Sequence, residues 1–199
     1  HFKILEHCVE KGYAKNIDIH YNTNGTQLPK KEIFDLWKNF KRVEIAFSID
    51  DVGQPFEYQR HPAKWREVNA NLVQFKENQT NNIEFQICST ISIFNIFNLA
   101  KIALWVKQYQ PKYFYVNTCF DPDIFNIQTL PKQVKNIVNS RYSMLTDFKP
   151  TLRFMNSADR DSEKIREQRK ARIIQTDKYR DENFGDVFPL LNKVLQIYE

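Results

Sequence analysis

The side chains with the most chemical potential are hydroxyls, amides and carboxylates gathered at four places along the chain. They are Asn22, Thr23 and Asn24; Ser48 and Asp50; Ser89, Thr90, Ser92 and Asn95; and Asn117, Thr118 and Asp121. Each group closes a run of alternating apolar and polar residues, the period of a β-strand. In open parallel sheets and in βα barrels alike, ligands bind beyond the carboxyl ends of the strands. One polar strand end is what any turn carries. Four in succession describe a rim able to hold a ligand rich in hydroxyl, amino and carboxylate groups.

Other chemistries find less support. Cys8, Cys88 and Cys119 are odd in number and far apart, with no CxxC spacing. They encode neither a disulfide framework nor a local zinc or iron–sulfur site, and are expected to be buried apolar thiols in a reducing, cytoplasmic setting. His20 is the one histidine on a strand-like run, and no HxH or HxxxH pair accompanies it, which argues against a metal-dependent hydrolase. It is expected as a satisfied interior or rim residue. Asp50 and Asp121 have acid/base chemistry available, but turn or helix-cap duty is the expected use of each.

The elements that position the rim follow from hydrophobic spacing. Residues 2–11 put Ile4, Leu5, Cys8 and Val9 on one helical stripe, with Gly12 as the stop. In IDIHYNT, Ile17, Ile19 and Tyr21 share one parity, and in RVEIAFS, Val43, Ile45 and Phe47 alternate with Glu44, Ala46 and Ser48. IEFQICSTI and KYFYVNTC supply two more strands. Between them lie helical patterns carrying Ile33, Phe34, Trp37 and Phe40, then Trp65, Val68, Leu72 and Phe75, then Leu99, Ile102, Ala103 and Val106. This helix–strand alternation predicts an α/β fold with a parallel sheet and right-handed crossovers. KQVKNIVNSRYSML is expected as a further helix. SADRDSEKIREQRKARI is charge-dense and expected as a solvated helix, and Phe184, Val187, Leu190 and Leu191 as anchors that dock the tail.

Composition bounds the rest. With 199 residues, 42% hydrophobic and 14% aromatic, the chain can build one sizeable core, and four glycines leave little room for flexible linkers. No apolar run reaches the roughly 18 residues of a membrane span, and HFKILEHC lacks the order of a signal peptide. The start at His1 leads to the expectation that this is a piece of a longer chain. The net charge of +5 is compatible with an anionic partner but explained as well by solubility.

HYNTNGT before a helix, VEIAFSID, and then a loop ending in FEYQRHPAKW resemble the middle of radical S-adenosylmethionine enzymes of the SPASM/twitch-like group. That family's third strand often ends in TNGT, matched by Thr23, Asn24, Gly25 and Thr26. Its fourth ends in Ser-(Ile/Leu)-Asp, matched by Ser48, Ile49 and Asp50, and an arginine soon after is matched by Arg60. STISIFNIFNLAKI and VNTCFDPDIFNIQTLP resemble the fifth and sixth strand segments, so the match spans roughly residues 15–131.

The resemblance implies strands 3–6 of a partial (βα) TIM-type barrel with an open parallel sheet over 1–145, and a mostly helical extension over 146–199 packed on it. It implies an activity for the parent protein: reductive cleavage of S-adenosylmethionine at a 4Fe–4S cluster to a 5′-deoxyadenosyl radical that abstracts hydrogen from a substrate. Ser48 and Arg60 are then expected to hold the methionine carboxylate, with Thr23, Asn24 and Asp50 beside them; Arg60 lies after a loop and before a helix opened by Pro62. A guanidinium suits that task because it makes paired, charge-assisted bonds to a carboxylate.

The departures are as informative. The family's CxxxCxxC loop and GGEP-like segment are absent from this sequence, and no auxiliary-cluster cysteines follow Cys119. The chain alone is therefore expected to bind no metal or cofactor and to be inactive. A free edge at IDIHYNT is expected to be covered by the tail, by a second copy or by a partner. The alternative from another class is a non-catalytic α/β binding module for nucleic acid or another anionic partner. Against it, Phe34, Trp37, Phe47, Trp65 and Phe75 fall at core positions and do not interleave with Lys and Arg on one face.

Overall fold

Period-two runs become strands in the computed structural model of the protein, which describes residues 1–198. Helix α1 (Phe2–Glu10) leads into β1 (Asp18–Thr23), α2 (Lys31–Trp37) and β2 (Arg42–Ser48). Two helices follow, α3 (Gln54–Gln59) and α4 (Trp65–Glu77), then β3 (Ile83–Ile91), α5 (Leu99–Tyr109) and β4 (Phe114–Thr118). The remainder is helical: α6 (Lys132–Tyr142), α7 (Lys149–Asn156), α8 (Glu163–Arg180), α9 (Phe184–Val187) and α10 (Pro189–Leu195).

All strand pairs are parallel and the order is β1-β2-β3-β4, with no reversal. A sheet that adds each strand beside the last is the order of a barrel segment, whereas a doubly wound sheet switches direction at its middle. This is a partial βα-barrel arrangement. β1 is an edge strand and pairs only with β2 among the described residues.

Alternation gives the sheet two chemically distinct faces. Val43, Ile45 and Phe47 of β2 and Ile83, Phe85 and Ile87 of β3 are buried, and all six belong to one core with Phe34 and Trp37 of α2, Val68, Leu72 and Phe75 of α4 and Leu99, Ile102 and Val106 of α5. The Phe75 ring lies 5.4 Å from those of Phe34 and Phe47 and 6.3 Å from that of Phe85, joining two helices to two strands. Burying each such ring stabilises the fold by about 1.5–3 kcal/mol. The opposite face presents His20, Glu44, Ala46, Ser48, Glu84, Gln86, Cys88 and Thr90. There His20 Nδ1 contacts Glu44 Oε1 at 2.8 Å, and Gln86 Nε2 donates to the same oxygen at 3.0 Å.

Four local expectations are corrected. The segment before Arg60 is a helix, α3, opened by Gly53 at φ 70° with Pro55 in its first turn. α4 starts at Trp65, with Pro62 outside it. Ile4 is exposed and only Leu5 of the α1 stripe is fully buried. Lastly, α8 is not simply solvated: Arg169, Ile173 and Asp177 are buried at intervals of four, on one face. The tail anchors Phe184, Phe188, Leu191 and Ile197 cluster with Ile173 and with Tyr58, against Phe94, Phe97 and Phe125 at the strand ends. It does not reach the β1 edge through this packing.

Candidate functional site

β2 runs on past Ser48, since Ile49 N still donates to Cys88 O at 2.9 Å. Ile49 is fully buried, so alternation turns Asp50 toward the polar face. Asp50 is the centre of the rim. Its Oδ1 accepts Thr90 N at 2.8 Å, its Oδ2 accepts Arg60 Nε at 2.6 Å and its backbone carbonyl accepts Asn95 Nδ2 at 2.7 Å. Asn95, itself fully buried, also donates to Thr90 O at 2.9 Å, and its Oδ1 accepts Ser92 N at 2.9 Å. Ser89 Oγ donates to the carbonyl of Ile49. One carboxylate and one amide thus tie the ends of β2 and β3 together.

Arg60 caps the C-terminus of α3, with its N–H donating to Phe56 O at 2.8 Å. Phe56 is fully buried with its ring 5.1 Å from that of Trp65, which fixes the helix. Only Nε of the guanidinium is engaged. Nη1 and Nη2 have no partner among the described residues, and the side chain retains 29% of its exposure. Asp50 therefore holds the stem of Arg60 while the two-pronged end faces outward. Ser48 Oγ, half-buried at the same strand end, also has no side-chain partner among the described residues.

Thr23 and Asn24 do different work. Thr23 Oγ1 accepts Gly25 N at 3.1 Å, and Asn24 Oδ1 accepts Thr26 N at 3.1 Å and Thr26 Oγ1 at 2.7 Å. Gly25 sits at φ 75°, and a Cβ there would come within 2.9 Å of Val68 Cγ1 and 3.3 Å of Phe47 Cδ1. The TNGT segment builds a tight turn packed under α4, and its acceptors serve that turn. The structure brings together Asp50 and Arg60; Ser48 lies two residues before Asp50 on the same face of β2, and Thr23 and Asn24 are not among the groups that meet at Asp50.

The spacing arguments missed Asp51. It is fully buried and accepts Val52 N at 2.8 Å, Asn98 Nδ2 at 2.7 Å and Gln59 Nε2 at 3.3 Å, joining α3 to the start of α5. Burial raises its pKa to about 6, against the pull of these donors and of Lys101. Its one signal in the sequence is the doubled aspartate at a strand end. The thiols of Cys88 and Cys119 are half-buried and pushed up, first by burial and then by neighbouring carboxylates, Asp50 among them for both. Neither is poised as a thiolate.

No protein-family model matches the chain, and no curated protein sequence matches it. Solved structures do. Native anSMEcpe with bound AdoMet and Cp18Cys peptide aligns with a TM-score of 0.51 at 18% identity, over 77% of this chain and 44% of that one. The likeness is in the βα arrangement of the fold. At this identity the likeness is one of architecture and carries no residue roles. Native anSMEcpe with bound AdoMet alone aligns at 0.49, with 19% identity over 77% of this chain and 44% of that chain. The chain thus spans less than half the length of these structures. Among the described residues, no helix is long and apolar enough to cross a membrane.

Proposed function

We propose that this chain is the S-adenosylmethionine-binding half of a longer radical S-adenosylmethionine enzyme, and that Ser48 and Arg60 hold the methionine carboxylate. The observation that carries this is the guanidinium of Arg60, fixed through Nε by Asp50 at the strand end with both terminal nitrogens unpartnered among the described residues. A planar fork held at its stem is preorganised for a two-point contact with a carboxylate, and a strand-end hydroxyl adds a third bond. Asp50 positions Arg60, and the bond it makes to Thr90 N keeps it in place.

The donor set does not fit a 4Fe–4S cluster. Cys8, Cys88 and Cys119 lie on α1, on β3 and after β4, and among the described residues no group of three His, Cys, Asp or Glu side chains could hold a metal ion. Reductive cleavage of S-adenosylmethionine and hydrogen abstraction are accordingly proposed for the longer parent and not for this chain alone, with the cluster held by residues outside it. What these residues do is bind and orient. Calorimetric titration of S-adenosylmethionine into the full-length protein tests the assignment. Arg60→Ala should weaken binding roughly ten- to a hundred-fold, the loss of one charge-assisted contact. An unchanged dissociation constant would sink it.

A further inference from the structure

The least exposed cation among the described residues is a guanidinium that forms no salt bridge there. Arg169 of α8 is 1% exposed. Its Nε donates to Ile124 O at 2.8 Å, and Nη2 donates to Thr129 O at 3.1 Å and Thr129 Oγ1 at 2.6 Å. All three partners are neutral and lie in the segment between β4 and α6. Nη1 is buried and has no partner among the described residues. Desolvation lowers the Arg169 pKa to about 10, with Arg166 adding to the effect and Asp161 opposing it. A buried cation satisfied on one side only is costly unless something anionic meets its other side.

Arg169 lines a cavity of about 190 Å³ with Arg166, Pro131, Gln133, Leu195 and Gln196. Pro131 is the N-cap of α6, an 11-residue helix, so the cavity lies at the positive end of its dipole. Val134 N and Lys135 N both turn back to Pro131 O, whereas the N–H groups of Lys132 and Gln133 have no partner among the described residues. The charges nearby are mixed but sum to positive. Arg166 grips Asp161 through Nε at 2.8 Å and through Nη2, and Lys135 Nζ lies 3.6 Å from Asp159 Oδ1. Those two carboxylates are therefore engaged, and Lys132 and Arg169 remain without one.

We propose that this cavity is an oxyanion-binding site, separate from the rim at Asp50, that takes an inorganic phosphate or the phosphate or carboxylate group of a small ligand. Arg169 and Gln133 line it, the unpartnered N–H groups of Lys132 and Gln133 lie at the adjoining start of α6, and Arg166 closes its rim. A guanidinium beside free helix-start amides is the combination that binds phosphate elsewhere. Because Arg169 also ties the β4–α6 segment to α8, an occupant would brace the tail against the sheet.

Titrating inorganic phosphate into ¹⁵N-labelled protein, with ionic strength balanced by sodium chloride and a parallel arm with acetate, tests this directly. Saturable shifts are expected at Arg169 Nε and at the Lys132 and Gln133 amides, with a dissociation constant on the order of 1–10 mM or tighter. Saturation by phosphate alone identifies a phosphate site, and saturation by both anions a general oxyanion site. Arg166→Ala should weaken the binding about three- to tenfold and Arg169→Lys, which keeps the charge and loses the fork, at least about tenfold. If Arg169→Lys does not fold, the wild-type titration still decides. Shifts that match the chloride control, or that saturate only at residues elsewhere such as Arg60, would overturn the proposal.

Discussion

The strand-end rim and helix α8 use the same kinds of charge in opposite ways. At the rim, Asp50 and Arg60 hold each other at 2.6 Å, both within reach of solvent, and the fork of the arginine stays open. On α8 two charges, Arg169 and Asp177, are 1–2% exposed and are held by neutral groups. Asp177 accepts from Tyr58 Oη at 2.6 Å, Tyr198 Oη at 2.7 Å and Phe184 N at 2.7 Å. Arg169 donates to a segment of backbone and one threonine. A carboxylate ringed by three donors is a lock. A partly solvated ion pair with unused donors contributes little to stability and leaves those donors free for a ligand.

That contrast predicts where substitutions act. The largest effect on stability is expected at Asp177. Asp177→Ala leaves one buried phenol, one half-buried phenol and an amide without an acceptor and should cost about 3–5 kcal/mol, read as a lower urea midpoint at unchanged slope. The tail and α3 would loosen together, because Tyr58 belongs to α3. A loss under 1 kcal/mol would show that the lock is not what fixes the tail.

Next comes Asp51, which is buried like Asp177 yet sits beside the rim. Its pKa is raised from 3.8 to about 6. The folded protein thus keeps a proton that the unfolded chain has released. The resulting stability is complete below about pH 4 and is lost as pH rises through about 6, a change of about 2–3 kcal/mol. Unfolding measured from pH 4 to 7 should show this decline, and Asp51→Asn should flatten it. A wild-type profile that rises through the same window would contradict the assignment.

Smaller effects are expected at the rim itself. Asp50→Ala removes the acceptor for Thr90 N and the anchor of Arg60, for about 1–2 kcal/mol. Arg60→Ala should cost no more than about 1 kcal/mol, since the pair is partly solvated. If Arg60→Ala destabilised the fold as much as Asp177→Ala, the division between recognition and locking would fail.

The same division governs what was legible in the sequence. The sheet could be read because Val43, Ile45 and Phe47 alternate with Glu44, Ala46 and Ser48, and the helix-facing side is nearly all apolar. The helical state of α8 could be read too, but its buried face could not, because two of the three residues on it are Arg169 and Asp177, whose burial depends on partners far along the chain. α3 spans six residues, too few for a helical period to show beside its proline. Thr23 and Asn24 read as ligand residues from their motif, while their oxygens shape the turn that Gly25 allows. Arg60 could be read from its motif as a ligand residue, but its partner Asp50 is brought to it by the turn into α3.

The central claim is that the Arg60 fork recognises a carboxylate. It is tested most directly by the ratio of affinities for S-adenosylmethionine and its decarboxylated analogue, measured in the full-length protein with and without Arg60→Ala. The account predicts a preference of roughly ten- to a hundred-fold in the wild type, collapsing toward one in the variant. A ratio that is the same in both proteins would contradict it.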